Sequence, residues 1–119
     1  MALYYTLPIY RDVYQLILKL FEATRNFPRE YKYTLGQDIK RDGISLVRNI
    51  YKANKYKEKE GYLNELQEDL EVLKLQIRLA KDLNAVSTKK YAEICSITEK
   101  IGRQLTGWKK KHGPGVDSS

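Results

Sequence analysis

Apolar residues recur every three or four positions along most of this chain, the spacing that puts them on one face of an α-helix. A first helix is predicted from about Ile9 to Arg25. Pro8 suits its first turn, where the missing backbone N–H has no helical partner, and Pro28 ends it. The segment from Phe27 to Tyr33 is then a connection. The apolar stripe of this helix consists of Ile9, Val13, Leu16, Ile17, Leu20 and Thr24.

A second helix is predicted after Thr34, which has the residue type of an N-cap and is followed by Gln37 as in a capping box. Gly36 and Gly43 lie within this helix, and each costs it about 1 kcal/mol relative to alanine. We therefore expect a neighbouring helix to approach closely there. The charged stretch from Asn54 to Glu60 is predicted to hold the next turn. The inward stripe consists of Leu35, Ile39, Gly43, Leu46, Ile50 and Ala53.

The third and fourth helices have the clearest pattern, because their apolar positions alternate by three and four over several turns. Asn84, the last position of the third stripe, is the only polar residue in that stripe. Ser87 has the residue type of an N-cap for the fourth helix. The two stripes are Leu63, Leu66, Leu70, Leu73, Ile77, Ala80 and Asn84, and Tyr91, Ile94, Thr98, Ile101, Leu105 and Trp108.

Four amphipathic helices joined by short connections favour an all-α, antiparallel up-down-up-down four-helix bundle. This bundle domain is predicted to span residues 1–111, with residues 112–119 as a flexible C-terminal tail and fraying expected from Lys109. The chain has 119 residues, enough for one core. No stretch approaches the roughly 18 apolar residues of a membrane span. With Cys95 as the single cysteine, no internal disulfide can form, and we expect a soluble cytoplasmic protein.

Residues able to carry catalysis are scarce. His112 is the only histidine and lies in the predicted tail, where a general acid or base would not be held in place. Cys95 lies near the inward side of the fourth helix, where a thiol usually acts as a small apolar group. The acidic residues of the third helix lack the Glu-x-x-His pairs of di-metal bundles and indicate a solvated face. We therefore expect a binding protein, not an enzyme, without metal or other cofactor. The acidic residues are Glu65, Glu68, Asp69 and Glu71.

The net charge of +7 favours anionic partners, with nucleic acid first among them. Residues 57–73 carry two lysines and six acids, whereas residues 74–111 carry ten basic residues and three acids. Lys74, Arg78 and Lys81 fall at i, i+4 and i+7, so they share one face of the third helix beside its leucine stripe. That pattern predicts either a phosphate-binding surface or a solvated basic face.

Other basic residues extend this prediction to neighbouring helices. Arg103 on the fourth helix is expected to join Lys74, Arg78 and Lys81 in contacting phosphates. Arg41 and Arg48 on the second helix, with Lys52, are the next candidates for nucleic-acid binding. Further positive charge on the fourth helix comes from Lys89, Lys90, Lys100 and Lys109 to Lys111.

Ten tyrosines are an unusual number for a chain of this length, and they lie mainly toward predicted helix ends and connections. Tyrosine can bury its ring while its hydroxyl stays in water, which suits bundle ends and subunit interfaces. Stacking on unpaired bases is a third use of such rings. The sequence leaves these three roles open, and we expect the tyrosine-rich helix ends to contribute to subunit contacts.

The run from Pro28 to Gln37, followed by Ile39, Arg41, Ser45, Asn49 and Ile50, resembles the signature of bacterial four-helix-bundle proteins related to the ribosomal-RNA intervening-sequence protein. The continuation from Ile50 to Asn54, and the segment from Ile101 to Trp108, are more similar to one branch of that family. This branch comprises the accessory variability determinant, or Avd, proteins of diversity-generating retroelements. The similarity covers nearly the whole chain up to about Lys111. In the intervening-sequence relatives the residues after Ile50 usually read more like Ala-Glu-Gly, so Tyr51-Lys52-Ala53 favours the Avd branch.

The resemblance implies a homopentameric barrel of four-helix bundles with a basic surface. It also implies binding of DNA and RNA, and association with the retroelement's reverse transcriptase during mutagenic retrohoming. The expected function is thus that of a nonenzymatic nucleic-acid-binding accessory protein. The alternative is that the chain is a ribosome-related or rRNA-related four-helix-bundle protein, acting as a structural oligomer or as a protein-interaction module that binds an acidic protein partner.

Overall fold

The computed structural model describes residues 3–112, which contain four long helices and no strand. A short 3-10 helix, Tyr4–Thr6, precedes the first long helix, and a single helical turn lies between the first two long helices. No described helix has an apolar run long enough to cross a bilayer. The α-helices are α1 (Pro8–Arg25), α2 (Arg29–Lys32), α3 (Leu35–Lys55), α4 (Glu60–Asp82) and α5 (Thr88–His112).

The four long helices surround one apolar core. α1 packs against α3 and α5, and α4 packs against the same two helices, so α1 and α4 lie across the core from each other. The predicted stripes supply this core, and each fully buried aliphatic side chain contributes about 1.5–3 kcal/mol. Leu35, which begins the second stripe, is only partly buried, and so are Tyr91 and Trp108 at the two ends of the fourth. The largest fully buried side chains include Leu16, Leu20, Ile39, Leu46, Ile50, Leu63, Leu66, Leu73, Ile94, Ile101 and Leu105.

The connection before α3 differs from its prediction. It contains the helical turn α2, and Thr34 does not form a capping box with Gln37. Instead the Thr34 hydroxyl donates to the backbone oxygens of Glu30 (3.2 Å) and Tyr31 (3.4 Å). The reason is local competition: the end of α2 leaves carbonyl groups without helical partners, and the hydroxyl reaches these before it reaches the first N–H groups of α3.

The turn between α3 and α4 is held by one lysine. The Nζ of Lys59 donates to the backbone oxygens of Ala53 (2.6 Å), Tyr56 (2.8 Å) and Asn54 (3.4 Å). These carbonyls lie at the end of α3, where the helix dipole also favours a positive charge. Lys59 therefore has a structural role within the charged stretch that the sequence predicted to be a turn.

The turn between α4 and α5 corrects one core prediction. Asn84 does not continue the apolar stripe of α4; it is exposed and has a φ of 60°. Asparagine tolerates this left-handed backbone better than most residues, and the turn lets the N–H of Ala85 bond to the oxygen of Ala80 at 2.8 Å. The predicted N-cap of α5 is confirmed, because the Ser87 Oγ accepts the N–H of Lys90 at 3.1 Å.

The C-terminal end of α5 runs further than predicted. Lys109, where fraying was expected, and His112, predicted to begin the flexible tail, both lie in the last turns of the helix. The side chain of Lys109 bonds to Gln67 of α4, which ties this part of α5 to its neighbour. The rest of the predicted tail, residues 113–119, lies outside the described residues.

Gly43 is buried where α3 meets α1, as the sequence predicted for a close approach. A Cβ atom at this position would lie 3.0 Å from Cδ1 of Leu20 and 3.7 Å from Cγ1 of Ile17. We expect Gly43→Leu to lower the free energy of unfolding by about 1–3 kcal/mol through overpacking, although leucine favours helix over glycine. Urea titration followed by circular dichroism measures this change.

The control for Gly43 is another glycine of a long helix. A Cβ at Gly107 of α5 would meet nothing within 4 Å. Gly107→Ala is therefore expected to raise stability by up to about 1 kcal/mol, the full difference in helix propensity. A Gly43→Leu variant as stable as the Gly107→Ala variant would contradict the close packing of α1 on α3.

Candidate nucleic-acid interface

A groove of about 440 Å³ runs between α4 and α5, and two of the predicted phosphate-binding residues line it. Lys74 lies on the α4 wall and Arg103 on the α5 wall. Gly102 leaves room between the helices, since a Cβ there would come no closer than 4.0 Å to Leu70. Long basic side chains on both walls can converge on a phosphate held between them. The other lining residues are Gln67, Glu71, Thr98, Glu99, Leu105 and Thr106.

The three basic residues of α4 all lie on the side of this helix that faces α5. Lys74 forms a 3.3 Å ion pair with Glu71, and Nε of Arg78 lies 3.2 Å from both carboxylate oxygens of Asp82. The Asp82 hydrogen bonds, and then its charge, raise the pKa of Arg78 above its usual value. Such exposed ion pairs contribute only about 0–1 kcal/mol, so a phosphate can compete with these carboxylates for the cations.

Lys81 and Arg103 are held less tightly than their neighbours. The Nζ of Lys81 lies 5.3 Å from the ring centroid of Tyr91 on α5, a cation–π contact that leaves its N–H groups for other acceptors. Arg103 is exposed and forms no ion pair within the described residues. Its guanidinium can therefore bind a phosphate with two parallel hydrogen bonds and without displacing a carboxylate.

The two arginines predicted on the second helix lie elsewhere. Asp42 and Asn49, on one flank of α3, bond to α4, whereas Arg41 and Arg48 are exposed on the outward side of the same helix. One flank of α4 contacts α3, and its other flank faces α5. The six candidate residues therefore form two separate surfaces, one along α4 and α5 and the other on the outward side of α3. Arg41 is paired with Asp38 and Asp42, both at 3.2 Å, and these carboxylates raise its pKa.

Several lysines that add to the positive charge of α5 hold that helix against α1. Lys90 lies 2.6 Å from Glu22 and 3.4 Å from Glu93, and it lowers the pKa of both carboxyl groups. Lys100 pairs with Asp12 at 3.6 Å. Sequence reasoning could not separate these lysines from the groove residues, because the difference lies in which neighbouring helix each one faces.

The seam between α3 and α4 is acidic and contains hydrogen bonds between partly buried polar side chains of these helices. The Nδ2 of buried Asn49 donates to Asp69 at 2.6 Å. Burial raises the pKa of Asp69, and the charges of Glu65 and Asp42 add to this, while the bond from Asn49 opposes it. This acidic seam lies between the two basic surfaces and disfavours a continuous anion-binding track across it.

We expect Asp69→Asn to raise the melting temperature modestly at pH 7, because it removes the repulsion and keeps an acceptor for Asn49. The folded wild type holds the Asp69 proton more tightly than the unfolded chain does. The wild type therefore gains stability as the pH falls through this raised pKa. The advantage of the variant is expected to disappear below about pH 3.9. Melting temperatures of the wild type and the variant, measured from pH 7 to below about pH 3.9, test this prediction. Glu99→Gln is the control, because it also removes one negative charge but from an exposed position.

The candidates considered for catalysis or metal binding are Cys95, His112 and the acidic residues of α4. In the described part of the chain, no group of three histidine, cysteine, aspartate or glutamate residues is arranged to hold a metal ion. Cys95 is half-buried beside Tyr91, and this thiol, together with burial, raises the pKa of that tyrosine. Nothing in this contact pairs a nucleophile with a base.

A family model described as bAvd-like matches residues 7–112, which is almost the whole of the described chain. None of the curated proteins compared with the chain matches it significantly.

Proposed function

Because the chain belongs to the bAvd-like family, we propose that it is a nonenzymatic accessory protein that binds nucleic acid and associates with the reverse transcriptase of a diversity-generating retroelement. In this role it assists the copying of template RNA during mutagenic retrohoming. The observation that carries the proposal is the groove between α4 and α5, which Lys74 lines from one helix and Arg103 from the other. Arg78 and Lys81 extend the same basic surface along α4.

The proposed mechanism is electrostatic. The groove residues contact phosphates, and each neutralised phosphate on duplex DNA releases condensed counterions and contributes about 0.9 to the slope of log affinity against log salt. Such contacts position a nucleic acid without reading its bases. This fits an accessory protein that accepts both DNA and RNA. We place this activity in the cytoplasm, where the single cysteine, Cys95, stays reduced.

We further propose that the four long helices form an antiparallel up-down-up-down bundle and that the chain assembles as a closed pentamer. The antiparallel order is supported by Tyr4, before α1, whose ring lies 5.2 Å from that of Tyr51 near the end of α3. Assembly is supported by two exposed apolar patches, one on α4 and the other mainly on α1, which lies across the core from α4. One is an α4 stripe, Val72, Leu75, Leu79 and Leu83, and the other contains Leu18 and Phe21 of α1 with Ile44 of α3.

Two unlike patches on opposite sides favour head-to-tail contacts, in which the α4 stripe of one copy meets the α1 patch of the next. Contacts of this kind close into a ring when the rotation between copies allows it. Charged residues are depleted from the cores of such interfaces, and the α4 stripe consists of aliphatic residues alone. The expected tyrosine contribution to subunit contacts remains a prediction.

The test of the function is a salt titration of the purified protein with one duplex DNA and one RNA, together with co-purification of the reverse transcriptase encoded beside its gene. Binding that weakens steeply with salt, and recovery of the polymerase, are the expected results. Salt-sensitive binding of an acidic protein, with no affinity for either nucleic acid, would favour the alternative role as a protein-interaction module. A neighbouring reverse-transcriptase gene is a further expectation.

A further inference from the structure

A belt of aromatic rings lies at one end of the molecule, where α1 begins, α3 ends and α4 begins. The ring of Tyr4 lies edge-on to three other rings, with centroids 5.2–5.5 Å apart. The Nζ of Lys55 lies 5.6 Å from the ring centroid of Tyr51 and 5.4 Å from that of Tyr56, which joins the two halves of the belt. This tyrosine belt consists of Tyr4, Tyr5, Tyr10, Tyr14, Tyr51, Tyr56 and Tyr62.

Packing alone does not account for the belt. Four of its rings remain between 42% and 51% exposed, namely Tyr5, Tyr14, Tyr51 and Tyr56. The other rings, such as Tyr4 and Tyr62, are partly buried and support these four from behind. Edge-on and stacked contacts between neighbouring rings restrict their rotation. The belt therefore presents preordered aromatic faces to solvent at one end of the molecule.

The belt is accompanied by positive charge. Arg48, Lys52 and Lys55 fall at i, i+4 and i+7, so they share the outward face of α3 with Tyr51. Lys57 follows in the next turn, and residues 48–57 contain no acidic residue. A strip of cations along a row of exposed rings is the combination that binds single-stranded nucleic acid: the cations track the phosphates and the rings stack on unpaired bases.

The same charge argues against the belt as the main contact between copies. Lysine is depleted from subunit interfaces, because its burial removes a strongly hydrated ammonium group from water. Here the Nζ of Lys55 lies 5.6 Å and 5.4 Å from the centroids of two of the rings. The aliphatic stripe of α4 has no such cation among its members and is better suited to contact a second copy.

We propose that the tyrosine belt, with Arg48, Lys52 and Lys55, is a binding site for single-stranded nucleic acid whose unpaired bases stack on its exposed rings. The site is separate from the groove between α4 and α5, which contacts phosphates alone. The proposal rests on the proposed function, and it assigns the unpaired part of a template or product strand to this end of the molecule. Arg48 then belongs to the single-strand site, not to the phosphate surface of α4.

The test compares three ligands that share phosphate charge and differ in accessible bases. These are a short oligothymidylate, an abasic strand of the same length, and a duplex, each titrated by fluorescence anisotropy against the full chain. Each base–ring stack is worth about 5- to 150-fold in affinity. The wild type is therefore expected to bind oligothymidylate at least tenfold more tightly than the abasic strand.

Two variants test whether the tyrosine belt causes the preference for oligothymidylate over the abasic strand. Replacing Tyr5, Tyr51 and Tyr56 with leucine retains apolar area but removes the ring faces, and is expected to abolish the preference while duplex binding stays unchanged. Replacing the same residues with phenylalanine is expected to retain it. Circular dichroism verifies the helical content of both variants, and the single Tyr5→Leu variant, in the short 3-10 helix, provides a less perturbing change.

The results that would contradict the single-strand site differ from the result that would contradict the proposed function. Equal affinity of the wild type for oligothymidylate and for the abasic strand, or a preference that persists in the folded leucine variant, would overturn the single-strand site. A leucine variant that becomes monomeric while the wild type is oligomeric would do so as well, because the belt would then be a subunit contact. Absence of binding to any of the three ligands would instead contradict the proposed nucleic-acid function itself.

Discussion

Replacing Lys74, Arg78 and Lys81 together with glutamine is expected to weaken binding to duplex DNA and to RNA by about a hundredfold or more, because contacts to charged groups contribute about 1.5–3 kcal/mol each. All sequences are affected alike, since phosphate contacts carry no base information. The salt slope for duplex DNA becomes shallower by about 0.9 for each lost phosphate contact, and an oligomer multiplies this change. Glutamine keeps the helix propensity of the replaced residues, so α4 is expected to stay folded.

Arg103 is a further residue to replace, because it lines the same groove as Lys74. Because Arg103 lies across the groove from Lys74 and has no carboxylate partner among the described residues, Arg103→Gln alone is expected to weaken binding more than Lys74→Gln alone. A double variant of these two residues is expected to depart from additivity if both contact the same phosphate. Salt titrations of the single and double variants measure each of these differences.

The charge-matched control removes three cations from the seam between α1 and α5. In that seam Lys19 pairs with Glu93, Lys90 with Glu22, and Lys100 with Asp12. Replacing these three lysines with glutamine changes the net charge by the same amount as replacing Lys74, Arg78 and Lys81. This control is expected to retain most of the affinity. Unchanged affinity and slope in a folded Lys74, Arg78 and Lys81 variant would place the phosphate surface elsewhere, with Arg41, Arg48 and Lys52 as the next candidates.

If the chain assembles as proposed, replacing Leu75 and Leu79 with glutamate is expected to convert the proposed oligomer to a monomer. Leu75 is 68% exposed and Leu79 is 46% exposed, so neither substitution disturbs the core of the chain. In a head-to-tail ring both positions become buried, and unpaired carboxylates there cost several kcal/mol at every contact. Light scattering at micromolar concentration gives the mass of the wild type and of the variant.

The control for this prediction is Gln37→Glu, which adds a negative charge at an exposed polar position of α3. It is expected to leave the mass unchanged. A wild type that is monomeric at micromolar concentration would contradict the closed oligomer. An oligomer that withstands both glutamates would exclude the α4 stripe as its interface, and the tyrosine belt would then be the next region to test.

Much of the fold follows from local patterns in the sequence. The stripes of the four long helices are recognisable because helical periodicity depends only on residues a few positions apart. The bounds of α1 follow from Pro8 and Pro28, and the start of α5 follows from Ser87, which caps the helix through its own side chain. The match of the family model to residues 7–112 confirms the resemblance to Avd proteins that the segments around Tyr51 and Trp108 indicated.

Tertiary structure decided what local patterns leave open. Thr34 and Asn84 have residue types that suit several positions at a helix end, and the neighbouring turn determined which backbone groups they meet. Which neighbouring helix a residue faces was likewise decided by the packing. Lys90 faces α1 and pairs with Glu22, whereas Lys74 and Arg103 line a common groove between α4 and α5. Seven tyrosines from distant parts of the sequence meet at one end of the molecule for the same reason. Contacts between helices depend on how those helices pack, and that packing arises from the whole core and not from any single segment.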